Sequence, residues 1–456
     1  LGYTLGDLGC CCTEQFRAMY LSVFYTLILQ VNPFHIGILM LITKIWDAVN
    51  DPIIGAIVDS REATKGGKFI PWIRAFSFPM AVLCILGFVN VSNLAYGLRL
   101  AYMFVTYVLY EALYTCVNVP FGTLSSVMTD DVRHRTALSR YRSLGGTIFM
   151  TVIVMVGPLV LYVDNKPVAG RFLMLASVFA LIGLLCLQIT CVWCKERVAV
   201  PERPKGEKLN YLHVIKEIAK NKALLGVMFF SLVGMIGASV VNGLNTYLFK
   251  DYFGNVKIMA VSGGLSVLYS LITFAITQPL ADKLGKKEWC CWGAGFAAAV
   301  FALLFFFPIH NPVLFIVING VCYLGASGMQ VLIWAMVNDS IDYHELQTGE
   351  RNEGIVYSTY SFFRKLASAV SGSLSSFVLG FIGYNVAEGA MQTAEVSNAI
   401  WKSYTGIYVL GYGVAVAILF FVYPLTKAKT TEMLEQLKAR RAEKASAVET
   451  DGEQCP

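Results

Sequence analysis

The chain has 456 residues, 56% of them hydrophobic and 14% charged, with a formal net charge of +6. A mean hydropathy of +0.60 and so few charges exclude an ordinary soluble domain, in which about 25% of residues are charged. Long continuous apolar runs exclude a barrel of short alternating strands, and the basic residues gather in particular loops, an orientation signal rather than a nucleic-acid footprint.

Twelve spanning helices are predicted near 8–30, 35–58, 72–92, 97–126, 138–163, 171–194, 223–249, 258–281, 288–308, 312–337, 354–383 and 402–424. Each holds the roughly 20 apolar residues that a bilayer requires. No cleavable signal pattern is present, and a chain that starts at Leu1 without a methionine is expected to lack a few residues. Even-numbered loops carry the cations: Arg61, Lys65 and Lys68 in the second, Arg133 and Arg135 in the fourth, Lys195 to Lys222 in the sixth, Lys283 to Lys287 in the eighth. By the positive-inside rule both termini are cytoplasmic. Cysteines such as Cys84, Cys186 and Cys322 lie in apolar runs as small hydrophobes, and the lone Cys191-Val-Trp-Cys194 lacks the second pair that a metal or redox site needs.

The longest loop divides the chain into a six-helix bundle over 1–194, a cytoplasmic linker over 195–222, a second six-helix bundle over 223–425 and a cytoplasmic tail over 426–456. The tail is charged, poor in large apolar residues and expected to fray. Two six-helix halves with a midplane site between them form a transporter architecture.

The first segment carries Glu14, Gln15 and Arg17 among apolar residues. Glu14 and Arg17, three apart, either neutralise each other or contact substrate. The second segment carries Asp47 and Asp51 one turn apart, hence on one helix face. An ionised carboxylate in a bilayer core costs at least ~2.5 kcal/mol, so the pair needs a partner, a cation or a wet cavity. Pro52 frees the carbonyl of Ala48 beside it, and Asn50 adds an amide oxygen. That oxygen-rich set suits Na⁺, whereas a proton needs one carboxylate alone. Segment four holds Glu111, Thr115 and Asn118 beside the Pro120 kink, a cavity lining. Segment eleven holds Arg364 and Lys365, which need counter-charges; Asp47 and Asp51 are natural partners for one, an anionic or polyhydroxyl substrate for the other. Trp334, Tyr357 and Tyr360 fit packing better than sugar stacking. The polar stretch before them, with Asp342 and Arg351, suits gating ion pairs.

Five stretches carry a resemblance: Ile45-Trp-Asp-Ala-Val-Asn-Asp-Pro52, Gly67-Lys-Phe-Ile-Pro-Trp72, Asn118-Val-Pro-Phe-Gly122, Asp342-Tyr-His-Glu-x2-Thr-Gly-x-Arg-x-Glu-Gly354 and Tyr357-Ser-x2-Ser-Phe-x-Arg-Lys365. Together they resemble the glycoside–pentoside–hexuronide:cation symporters of the major facilitator superfamily, over nearly the whole chain. The resemblance implies an all-α fold of twelve transmembrane helices and a cation site at Asp47, Asn50, Asp51 and Thr115, with Asp47 and Asp51 as metal ligands if the ion is Na⁺. Lys365 matches the family's helix-eleven lysine near that site. Gly55, Asp59 and Lys68 match the superfamily's conformational-switch motif. Cys11 and Asn118 stand where the melibiose branch has sugar-gripping aspartates, and Gln330 where it has a tryptophan, which counts against melibiose; the Asn118-Val-Pro-Phe-Gly122 and Phe-x-Arg-Lys365 stretches resemble the glucuronide and pentoside branch instead.

The expectation is a monomeric, multi-pass transporter of the inner or plasma membrane, importing a glycoside with Na⁺ or H⁺ and needing no cofactor. The substrate set is Cys11, Glu14, Arg17, Glu111, Asn118, Gln330, Tyr357, Arg364 and Lys365. The rivals are a lipid or amphiphile carrier on the same fold and a transporter-like sensor without flux. No GxSxG, metal-ligand spacing or phosphate-binding loop argues for an enzyme.

Overall fold

The computed structural model describes residues 1–60, 67–129, 132–197, 221–348, 373–387 and 391–452, together with 360, 363, 364, 367 and 371. Its described helices in chain order are α1 Gly2–Leu27, α2 Pro33–Ser60, α3 Ile70–Leu86, α4 Tyr96–Met128, α5 Val132–Leu161, α6 Ala169–Trp193, α7 Lys222–Tyr247, α8 Ile258–Leu284, α9 Lys286–Phe306, α10 Pro312–Ala326 and α11 Gly328–Thr348. Helical residues 373–381 form α12, followed by α13 Ala394–Phe421 and α14 Lys427–Gly452. Among the described residues the only sheet is one small hairpin, β1 Tyr162–Val163 with β2 Lys166–Pro167.

Seven of the described helices or helix pairs are long and apolar enough to cross a membrane. α1 and α2 fall outside that set because Asp7, Glu14, Arg17, Lys44, Asp47 and Asp51 dilute their hydropathy; the charges are a property of the site, described below. The tenth predicted segment is two helices, broken at Ser327, whose hydroxyl donates back to the Tyr323 carbonyl (2.5 Å). The outward helix faces carry large apolar side chains, Phe274 at 73% and Phe421 at 81% exposure, as a lipid-facing surface does.

Two compact units result. The first is Leu1–Pro204 with Asn242–Leu265 and Gly372–Ser403; the second is Lys205–Val241, Ser266–Ser371 and Tyr404–Pro456. In the first unit α1 packs along α5 and α6, α3 along α4 and α6, and α2 along α4. Glycine allows a close crossing: a Cβ on Gly9 of α1 would lie 2.8 Å from the Gly183 carbonyl oxygen of α6. Phe16, Phe24, Phe88 and Phe172 fill the space between α1, α3 and α6. The hairpin turns through Asp164 and Asn165, both at positive φ, the pairing a two-residue turn demands. The Asn165 amide then donates to the Lys250 carbonyl and accepts from the Val256 N–H, each at 2.9 Å. Asp251, on a π-helical turn that follows α7, pairs with Lys250 (2.7 Å) and accepts from the Tyr384 hydroxyl (2.7 Å).

In the second unit Asn221 caps α7: its Oδ1 accepts from the Leu224 N–H and its Nδ2 donates to the Ser340 carbonyl, both at 2.9 Å. Gly325 of α10 meets Gly293 of α9 so closely that a Cβ on Gly325 would stand 3.2 Å from the Gly293 Cα. Lys286 reaches both oxygens of Asp339 at 2.7 Å. The tail departs from expectation. It is helical through Gly452, because Met433 and Leu437, four residues apart, bury against the core of this unit.

Candidate cation and substrate site

Asp47 sits midway along α2, and its Oδ1 accepts from the Thr115 hydroxyl of α4 at 3.4 Å. Two residues predicted to share a site from separate segments thus meet. Asn50, one turn on, is buried, and its amide nitrogen has no hydrogen-bond partner among the described residues. The side chain of Asp51 lies outside the described residues, as does that of Asp59; Arg351, Tyr357 and Lys365 lie wholly outside them.

Asp47 meets a counter-charge on its own helix. Lys44 Nζ lies 3.9 Å from Asp47 Oδ2 and 3.6 Å from Glu111 Oε2 of α4, bridging two carboxylates. Glu111 is 2% exposed, so its ionised form depends on that ammonium. Only the i, i+3 spacing of Lys44 to Asp47 signals this role in the sequence.

Glu14 and Arg17 share no hydrogen bond or close ion pair. The three guanidinium nitrogens of Arg17 have no hydrogen-bond partner among the described residues, and the group lies over the Tyr110 ring at 3.5 Å and near Tyr107 at 5.0 Å. A cation over an aromatic face is attracted by the ring quadrupole. Glu14 Oε2 is likewise buried and unpartnered.

Cys11 belongs to a ladder on the next face of α1. Gln15 Nε2 donates to Cys11 Sγ (3.4 Å), Cys11 Sγ to Asp7 Oδ2 (3.8 Å), and Asp7 Oδ2 accepts from the Gly146 N–H of α5 (3.1 Å). Gly146 is needed there, since a Cβ would stand 3.2 Å from Asp7 Oδ2 and 3.3 Å from Cys11 Sγ. Asn118 lies half-buried one turn beyond Thr115.

In the second unit Gln330 is exposed and borders a cavity of about 70 Å³ with Tyr323, Ser327, Tyr408 and Tyr412. Small-molecule sites occupy about 300–1,000 Å³, so this cavity alone holds water rather than a sugar. Arg364 is exposed, with its guanidinium 5.8 Å from the Trp334 ring centre.

Of the gating candidates, Gly55 has open space around it: a Cβ there meets nothing within 4 Å. Asp342 is half-buried on α11. Lys68 contributes its backbone. The N–H groups of Lys68, Phe69 and Ile70 all donate to the carboxylate of Glu196 at 2.8–2.9 Å, and Gly67 turns there with φ +101°. A carboxylate at a helix N-terminus satisfies orphan donors and opposes the macrodipole. Glu196 lies 126 residues from Ile70, so no local pattern announced it.

Residues 2–427 match the sequence model of the family described as MFS/sugar transport protein. The chain belongs to that family. This MFS/sugar transport protein is therefore a multi-pass membrane transporter and not an enzyme. It is 31% identical to the "Uncharacterized symporter YjmB" of Bacillus subtilis (strain 168), over 96% of this chain and 94% of that one. It is 29% identical to the "Isoprimeverose transporter" of Lactiplantibacillus pentosus, over 96% and 91%. It is 25% identical to the "Glucuronide carrier protein homolog" of Escherichia coli (strain K12), over 97% and 95%. Among solved structures, a bacterial homologue of the human lysosomal transporter Spinster superposes with a TM-score of 0.67 at 11% identity, over 93% and 96% of the two chains. At that identity the superposition shows the fold alone, the all-helical major facilitator architecture.

Proposed function

We propose that this MFS/sugar transport protein is a secondary active symporter that imports a glycoside, of the hexuronide or pentoside class, together with a cation. The observation that carries the reading is the cluster of Asp47, Thr115, Lys44 and Glu111, held between α2 and α4. Ionisable groups inside spanning helices are costly and mark ion pathways. Asp47, Asn50, Asp51 and Thr115 form the cation site. Cys11, Glu14, Arg17, Glu111 and Asn118 supply substrate contacts from the first half, and Gln330, Tyr357, Arg364 and Lys365 from the second. The halves 1–194 and 223–425, joined by the linker 195–222, alternate access to that site, with Gly55, Asp59, Lys68, Asp342 and Arg351 acting in the gate. Relatives named for a glucuronide and for isoprimeverose support a glycoside cargo. An inward cation carries about 2.3 kcal/mol per 100 mV, which sustains roughly 50-fold accumulation.

The test is uptake of labelled phenyl glucuronide into proteoliposomes under an imposed Na⁺ or proton gradient. Accumulation is expected under one of the two, and Asp47→Asn is expected to abolish it. Undiminished accumulation in Asp47→Asn would remove Asp47 from the coupling site.

A further inference from the structure

The first unit buries more acidic groups than an Asp47 cation site requires. Around Glu14 of α1 stand Arg17 on the same helix, Lys44 and Asp47 on α2, and Glu111 on α4, all within electrostatic reach. Tyr107, Tyr110 and Tyr114 of α4 and Cys84 of α3 are the other described titratable groups that face it. Asp51, one turn beyond Asp47, and Arg140 and Arg142 of α5 have side chains outside the described residues.

The described cluster holds three carboxyl groups and two cations. Lys44 serves two of the carboxyls, Asp47 and Glu111. Arg17 serves none of them by hydrogen bond: its nitrogens have no partner, and the guanidinium rests on Tyr110. Glu14 Oε2 is left buried without a donor. An ionised oxygen in that position is strongly disfavoured, because nothing replaces its lost hydration. One proton on Glu14 removes the orphaned charge. A Na⁺ at Asp47 does not. It would stand beside the Lys44 ammonium, a like charge already placed between Asp47 and Glu111, and it would leave Glu14 as it is.

We infer that the coupling ion is a proton, that the Glu14 carboxyl is its seat, and that Lys44 exchanges between Glu111 and Asp47 as the proton arrives and leaves. The inference rests on the symport reading above, names its ion as a proton, and moves the ion's seat from Asp47 to Glu14, with Asp47 kept as the second partner of Lys44. The step is a transfer from water to a Glu14 carboxylate oxygen: one O–H bond breaks in the donor, one forms on the carboxyl, and the reverse transfer delivers the proton to water on the other side.

Infrared spectroscopy of the full-length protein in lipid vesicles decides this without a known sugar. A protonated carboxyl C=O band, shifted by D₂O, is expected in the wild type at neutral pH, to titrate away at alkaline pH and to be lost in Glu14→Gln. Lys44→Met is expected to keep that band and add a second one, because Glu111 loses its ammonium; this keeps the test sharp if Glu14→Gln folds poorly. No band in the wild type, or one unchanged in both variants, overturns the inference. So does accumulation of labelled phenyl glucuronide driven by a Na⁺ gradient alone, which would leave the symport reading standing. Failure of that reading shows separately, as no accumulation under either gradient.

Discussion

Among the described residues the interiors of the two units differ in kind. The first buries Asp7, Arg17 and Glu111 at the level of its helix packing, with Glu14, Lys44 and Asp47 at the edge of the same cluster. The second is filled along α7, α10 and α13 by glycine, methionine and tyrosine, including the parallel stack of Tyr408 on Tyr412 at 5.3 Å. Its ion pair, Lys286 with Asp339, joins the start of α9 to the middle of α11. Charge inside a bundle is destabilising unless paired, and breaking such a pair is worse than never having made it. The comparison teaches that the first unit is built around chemistry and the second around shape. Both use the same device to bring helices close, a glycine against a glycine.

The largest test of that contrast is Glu111→Ala. It leaves Lys44 with half of its counter-charge and is expected to destabilise the protein by about 3 kcal/mol, read from denaturant titration in detergent. A loss under about 1 kcal/mol would mean that the first unit tolerates unpaired charge and that the distinction between the interiors fails. Lys286→Ala in the second unit should cost less, about 1–2 kcal/mol, because the lysine side chain is a third exposed to solvent and screening weakens the pair. Next come the glycine crossings. Gly9→Ala and Gly293→Ala should each cost about 1–3 kcal/mol by overpacking, and similar values in the two units would confirm that the packing device is shared. The smallest effect is expected at Gly55→Ala. Open space around that position predicts a stability change within about 0.5 kcal/mol, so a drop in transport rate there would report on gating rather than folding.

Much of the fold was legible because membrane helices announce themselves by composition. The predicted starts and ends of α4, α6, α8 and α13 fall within a few residues of those observed, apart from the N-terminal extension of α13 to Ala394. The break at Ser327 was not legible, since Leu324-Gly-Ala-Ser-Gly328 is apolar enough to pass as continuous helix. The tail was misjudged for a related reason. Averaged composition hid Met433 and Leu437, and two residues at the right spacing sufficed to dock a helix. At the site, the resemblance implied that Asp47 and Thr115 stand together, and they are 3.4 Å apart. The roles of Lys44 and Arg17 did not. Spacing told which charges share a helix face, but the aromatic surface that Tyr110 offers to Arg17 depends on how α1 and α4 are placed side by side.

The cap on α3 has a mechanical consequence. Glu196 takes three successive backbone N–H groups, so the end of α6 and the start of α3 are riveted by a single carboxylate. Asn221 fastens the start of α7 in the same manner, to its own first turn and to Ser340. Removing the rivet with Glu196→Gln would free the start of α3 from the end of α6 while leaving every charged group of the ion cluster in place.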